Sequence, residues 1–277
     1  MSSSEFLKNY DLAGGIIRRL YDSRLRLTIL DALKDRPMRL ADLRRAVNAN
    51  APNTSSKAKE LEEMGLVERV EGDFRLTPYG RVTKNRIEEM LKFHAAYEKF
   101  KEFWETHDLS GIPDHLLARI GDLLNTKVVK NESMEPQRVH QTYLNFLESI
   151  KQKCYATTAI YMREYFLFAS KLVNKGVDMQ VIVTPGVLKK SVNDMPQAVL
   201  KTLANSENLR LFVLEWVPLD INVAEKAVSF NLKTKKGELL FMDQDMRSTD
   251  PRAIKWGLDL FEYYKKQAKP VKLSDYL

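Results

Sequence analysis

The chain has 277 residues, 44% hydrophobic and 29% charged, with a formal net charge of +7. That length suits two domains with separate cores, and no apolar run is long enough to span a bilayer, so no membrane-spanning helix is expected. The single cysteine, Cys154, excludes an intrachain disulfide and a multi-thiolate metal site.

The N-terminal MSSSEFLKNYDLAGG has no basic region followed by an apolar one, so a cytoplasmic location is expected. After Gly14-Gly15, residues 16–33 carry Ile17, Leu20, Tyr21, Leu25, Ile29, Leu30 and Leu33 at helical steps, with a restart at Asp22-Ser23. Asp35-Arg36-Pro37 breaks that pattern. Leu40, Leu43, Ala46 and Val47 define a short amphipathic helix, and residues 48–53 a polar turn. Residues 54–64 form a second helix, with Ala58, Leu61 and Met64 on one face. Gly65 closes it. Residues 66–70 alternate like a strand, residues 71–73 turn, and residues 74–76 return. Helix, turn, helix, hairpin is the order of a winged helix-turn-helix, whose second helix enters the major groove of DNA.

Charge supports that use. Between Arg24 and Arg86 there are 14 Lys and Arg against 9 Asp and Glu, so most of the surplus sits on this segment. Asn53, Thr54, Ser55, Ser56, Lys57 and Lys59 open the recognition helix, where short polar side chains reach base edges and backbone amides meet phosphate. Asn53, Thr54 or Ser55 also has the chemistry of a plain helix cap. Arg44 and Arg45, on the preceding helix, are expected at phosphates. Arg69 and Arg75 sit on the wing strands, for backbone or minor-groove contact or as solvated charges. Glu60, Glu62 and Glu63 mark the end of the helix that points out of the groove.

Thr77-Pro78 starts a long helix, expected over residues 78–105, with an apolar face from Val82 to Trp104. It serves as a dimer contact or as a connector. The domain boundary is placed at Leu109 to Pro113. Residues 1–108 are then a DNA-binding domain with its long helix, and residues 109–277 a second, α/β domain. His107-Asp108 reads as solvated linker.

In the second domain residues 116–124 suggest a short helix, 126–129 a strand and 135–151 a helix. Strands at 154–158, 178–184 and 209–216 alternate with helices at 161–174 and 198–204, which implies a parallel sheet. Residues 226–233 and 238–242 read as a hairpin, and a last helix starts at Asp250-Pro251. The expected fold class is α/β plus α+β: a winged helix-turn-helix, a connecting helix and a mixed α/β sheet domain. Ligands of such sheets collect at the carboxyl ends of the strands. That points to Thr157, Thr158, Thr184, Glu215 and Trp216, with Tyr161 and Arg163 on the next helix, and the Thr-Thr pair would suit an anion. Ordinary capping explains each threonine equally well.

The stretch RLADLRRAVNANAPNTSSKAKELEEMGLVERVEGDFRLTPYGR resembles the ArsR-like winged-helix regulators, with its Leu-x-x-Leu-Arg helix, its KELEEMGLV ending and its Leu-Thr-Pro-x-Gly. PRAIKWGLDLFEYY and the preceding KAVSFNLKTKKGELLFMDQD look like the effector domain of the archaeal methanogenesis regulatory protein family. The resemblance implies an archaeal transcriptional regulator. Metal-sensing ArsR members use paired thiols on the recognition helix, and residues 53–64 contain none.

The expected function is that of a non-enzymatic regulator. It binds double-stranded DNA as a homodimer, senses a small molecule and uses no metal or cofactor. Two alternatives stand beside it: a protein-interaction or assembly factor built on the winged domain, and a phospholipase D-like hydrolase. The latter chemistry needs His-x-Lys, and none of His94, His107, His115 and His140 is followed two residues on by Lys.

Overall fold

The computed structural model describes residues 4–236 and 244–277. They divide into two compact units, residues 1–91 and 92–277.

The first unit is built from α1 (Glu5–Tyr21), α2 (Arg24–Ala32), α3 (Leu40–Ala46), α4 (Ala51–Glu63), the hairpin β1 (Val67–Val70) and β2 (Asp73–Leu76), and the start of α5 (Pro78–Lys99). Helix α1 begins at Glu5, eleven residues before the expected start at Ile16, and is capped by Ser4. The break at Asp22-Ser23 is real: Ser23 accepts from the Arg26 N–H at 3.3 Å and starts α2. Leu20, Ile29, Leu30, Leu43, Leu61 and Phe74 form the core. Each such side chain stabilises by roughly 1.5–3 kcal/mol on leaving water. Gly65 takes φ +70° and ends α4, as expected. The hairpin turns on two residues, Glu71 and Gly72, both at positive φ, which matches the right-handed twist of the strands. Met38 adds a third short strand through paired bonds with Phe74 at 2.9 and 2.8 Å.

The second unit contains α6 (Lys101–Thr106), α7 (Asp114–Leu117), β3 (Lys127–Lys130), α8 (Arg138–Ser149), β4 (Lys153–Thr158), α9 (Arg163–Asn174), β5 (Asp178–Val183), α10 (Pro185–Asp194), α11 (Gln197–Ala204), β6 (Leu209–Val213), β7 (Leu219–Ala224), β8 (Val228–Leu232), β9 (Gln244–Ser248), α12 (Pro251–Lys265) and β10 (Lys269–Val271). The eight strands lie in the order β10-β6-β5-β4-β7-β8-β9-β3. Strands β4, β5 and β6 are parallel; the other pairings are antiparallel.

Three expectations change here. The long helix breaks at Phe100, and the compact division falls between Leu91 and Lys92 rather than at Leu109. Phe100, Phe103 and Trp104 bury in the core of the second unit, and Asp108 N–H and Lys235 N–H bond to Lys233 and Thr106 carbonyls at 2.8 and 3.0 Å. His107 is not solvated linker: it is fully buried, stacked on Phe103 with centroids 4.0 Å apart, and 2.8 Å from the Gln244 amide. Strand β7 was not anticipated, although its residues alternate apolar and polar, and all six of its positions are buried. Strand β8 pairs antiparallel with β7 on one side and with β9 on the other; residues 238–242, expected as the return strand of the hairpin, lie outside the described residues.

Helix α12 packs on one face of the sheet. Trp256, Leu260 and Phe261 meet Ile221, Val223 and Phe230, and Gly257 lies so close that a Cβ there would sit 2.7 Å from Val228 Cγ2. Alternation along β7 puts Asp220 and Asn222 on the other face, with Tyr143, Leu147 and Met179 among its core residues.

Candidate nucleic-acid interface and ligand cavity

Helix α4 begins at Ala51, three residues before the expected start, because Asn50 is its cap. The Asn50 side chain accepts from the Asn53 N–H at 2.9 Å, and Pro52 occupies the first turn. That rotation decides which polar residues face out. Asn53, Ser55, Ser56 and Lys59 are exposed, and Arg44 and Arg45 are exposed on α3. Thr54 is not available to a base: it is 0% exposed and donates to the Asn50 carbonyl at 2.8 Å. Lys57 is also engaged. Its ammonium lies 2.5 Å from Glu60, whose other oxygen meets Arg26 of α2. The two cations hold the Glu60 carboxyl below its usual range, the Lys57 hydrogen bond first. Arg45 pairs with Asp42. Arg44 and Lys59 have no ion-pair partner among the described residues.

On the wing, Arg75 pairs with Glu68 directly across the hairpin at 2.8 Å. Arg69 lies over the Phe74 ring, 5.1 Å from its centroid, with its charge facing water. Neither is locked: an exposed pair of this kind is worth about 0.2–1 kcal/mol and exchanges readily for phosphate.

The second unit holds a cavity of about 130 Å³. It lies on the Asp220 face of the sheet, under α8, α9 and α10, and its lining is mostly apolar. The polar exceptions include Thr158, Asp220 and Asn222. Asp220 is 3% exposed; its Oδ1 accepts from the Ala159 N–H at 3.1 Å and its Oδ2 has no partner. Cys154 also lines the cavity, and burial pushes its thiol up to about 12, which leaves almost no thiolate for redox chemistry. Among the described residues no cluster of three or more His, Cys, Asp or Glu is placed to hold a metal, and no helix is long and apolar enough to cross a membrane.

Residues 15–94 match the family model described as the N-terminal domain of methanogenesis regulatory protein FilR1, and residues 136–267 match that of its middle domain. The chain is 23% identical over 257 residues to the methanogenesis regulatory protein FilR1 of Methanothrix harundinacea (strain 6Ac), an alignment that covers 91% of this chain and 57% of that protein. The chain thus spans little more than half the length of this curated relative. Among solved structures it is similar to TrmBL2, described as an archaeal chromatin protein, at 16% identity and TM-score 0.44, over 88% of this chain and 92% of that one. The phospholipase D family member Nuc of Salmonella typhimurium aligns at 13% identity and TM-score 0.38, over 53% of this chain and 99% of that one.

In the second unit the expected ligand residues scatter. Thr158 lines the cavity. Thr157 does too, but its hydroxyl is spent on β7, donating to the Leu219 carbonyl at 2.9 Å and accepting from the Ile221 N–H at 3.2 Å. Thr184 caps α10 by accepting from the Val187 N–H at 3.3 Å. Arg163, Glu215 and Trp216 are exposed and do not line the cavity, nor does Tyr161. An anion after Thr158 does not fit, because the Ala159 amide that would hold it already serves the Asp220 carboxylate. Sequence reasoning missed Asp220 and Asn222. Their only signal was a polar-apolar alternation, which reads as a half-exposed strand.

Burial pushes the Asp220 carboxyl from 3.8 up to about 6, against the hydrogen bond its Oδ1 accepts from the Ala159 N–H. The folded chain therefore holds this proton more tightly than the unfolded chain. The resulting stability is full below about pH 4 and is lost as pH rises through about 6. Asp220→Asn removes the loss and keeps an acceptor for Ala159. Its expected effect is a gain on the order of 3 kcal/mol at pH 7.5 and little at pH 4. Urea unfolding at the two pH values checks this; an equal difference at both would refute it.

Proposed function

We propose that the protein is a DNA-binding transcriptional regulator of archaeal, ArsR-like type. Its first unit reads an operator, and its second answers to a small molecule. The observation that carries the reading is the outward face of α4, where Asn53, Ser55, Ser56 and Lys59 stand exposed while Thr54, Ala58 and Leu61 anchor the helix in the core. Support comes from the basic surplus of residues 24–86 and from the regulatory name of the protein whose domains both units match. Phosphate contacts come from Arg44 and Lys59, with Arg45, Arg69 and Arg75 released from weak surface pairs. Asn53 and Ser56 face the bases.

A homodimer in the cytoplasm completes the proposal. Phe6 and Leu12 on α1 are 75% and 86% exposed, and Val82 on α5 is 60% exposed. A second copy covering these side chains would set the spacing of the two recognition helices by two-fold symmetry. Ligand and DNA affinities would then be linked reciprocally.

Gel shifts against the protein's own promoter region test the reading. Arg44→Ala and Lys59→Ala are each expected to weaken binding on every sequence and to lower the slope of log affinity against log salt by about 1. Asn53→Ala is expected to relax preference for the operator. Lys57→Ala, by contrast, acts chiefly through stability, since it breaks the pair with Glu60. Equal affinity for operator and random DNA at every salt concentration would overturn sequence-specific regulation.

A further inference from the structure

Three buried polar side chains stand in a row across the second unit's sheet. Asp220 on β7 pairs in register with Asn231 on β8, and the β8–β9 register, with Phe230 opposite Met246, carries on to put Asn231 beside Asp245. They are 3%, 1% and 2% exposed. The charge of Asp245 is matched: its Oδ2 accepts from Ser229 Oγ and from Arg247 Nε, both at 2.6 Å. Asp220 has no such cation. Its Oδ2 is without a partner, and so are both atoms of the Asn231 amide and Oδ1 of Asp245. Native folds bury few polar atoms unpaired, and those they keep call for an explanation.

Asp220 and Asn222, on one face of β7, both line the cavity, Asp220 is the one acidic residue among the described residues that line it, and no Lys or Arg is among them. The remainder is apolar, including Leu147, Met179, Leu188 and Leu200. Its volume, about 130 Å³, is close to that of an engineered apolar cavity of about 150 Å³ that takes up benzene. The body that fits is therefore about one six-membered ring. A ligand with an anionic head would meet a carboxylate; one without a donor would leave Oδ2 as it is.

We infer that this cavity binds a small amine, with a ring-sized apolar body among the leucines and methionine and an ammonium head donating to Asp220 Oδ2 beside Asn222. This rests on reading the second unit as an effector domain, and it assigns that domain its ligand class and its contact residue. Asp220 supplies both the charge and the free lone pair. Asn231 and Asp245 stand behind it and make the wall polar enough to receive an ammonium group.

The full chain at pH 7.5 is titrated with benzylamine, cyclohexylmethylamine, benzyl alcohol and benzoate, followed by calorimetry and thermal melts. Both amines are expected to bind saturably and raise the melting temperature, the alcohol to bind at least about tenfold more weakly, and benzoate not at all. Asp220→Asn is expected to weaken amine binding about tenfold or more while remaining folded. Ala156→Leu fills the cavity wall and is expected to abolish binding of amine and alcohol alike; this second variant decides the matter should the first fail to fold. Failure of both amines to bind, equal amine affinity in the parent and Asp220→Asn, or benzoate binding as tightly as benzylamine would each overturn the site. DNA affinity is measured on the same preparations. Absence of amine binding with DNA binding intact overturns the site alone, whereas amine binding that leaves DNA affinity unchanged supports the site and overturns the effector reading.

Discussion

Gly80→Ala is expected to unfold the first unit at temperatures where the parent is fully folded. A Cβ on Gly80 would sit 1.9 Å from the Leu66 carbonyl oxygen and 2.8 Å from its carbon. Both are backbone atoms, so no rotamer change relieves the clash. The backbone there is pinned from several sides. Leu66 O accepts from the Thr77 N–H at 3.0 Å; Thr77 Oγ1 donates to the Gly65 carbonyl at 2.7 Å and accepts from the Gly80 N–H at 2.9 Å. The Leu-Thr-Pro-x-Gly stretch is thus a clasp. Thr77 ties the end of the wing to the end of α4 and caps α5, Pro78 opens that helix, and Gly80 lets it lie against Leu66. Overpacking a core typically costs about 1–3 kcal/mol, and a fixed backbone contact this short belongs at or above the top of that range. For a unit of this size about 3 kcal/mol lowers the melting midpoint by roughly 10–20 °C. Gly15→Ala is the control: nothing lies within 4 Å of its Cβ position, it sits inside α1, and a gain of about 0.5–1 kcal/mol is expected. Scanning calorimetry of the three proteins checks the pair. Melting of Gly80→Ala within a degree or two of the parent would show that the clasp is not needed.

Trp256→Ala is expected to have the largest effect in the second unit. Trp256 is 0% exposed, lies against the Phe230 ring with centroids 5.5 Å apart, and donates from Nε1 to the Leu116 carbonyl at 3.0 Å. Its removal leaves a cavity between α12 and the sheet, at about 3–5 kcal/mol for a buried tryptophan. Trp256→Phe separates the contributions. It keeps most of the packing and loses the hydrogen bond, at a cost of about 1–3 kcal/mol for the unpaired carbonyl. Urea midpoints with unchanged slopes measure both. A phenylalanine variant as unstable as the alanine one would place the whole effect in the hydrogen bond rather than in packing.

Most of the first unit was legible in the sequence. The three- and four-residue steps of α2 to α4, Gly65 at positive φ, the alternation of the hairpin and the Thr77-Pro78 start are all signals carried within a few residues of where they act. The same holds for Asp250, whose carboxylate accepts from the Arg252 N–H at 2.8 Å and opens α12, and for the parallel strands β4 to β6. For the candidate interface, the sequence showed a polar and basic composition but not which side chains face out. Asn50, rather than Asn53, caps α4, and that shift turns Thr54 into the core.

The sequence by itself determined which helices and strands follow one another in the winged segment, that this segment is basic, and that strands and helices alternate after residue 150. Periodicity, capping and turn chemistry are short-range, so they survive without a fold. The tertiary structure alone decided which polar groups are taken and which are free. Lys57 is tied up because Glu60 is also reached by Arg26, thirty-four residues away from it in the chain. His107 is buried because Gln244 comes back to meet it, and Asp220 lines a cavity because β7 lands between β4 and β8. A side chain's partner and its distance from water are set by contacts between distant parts of the chain, and no local pattern encodes them.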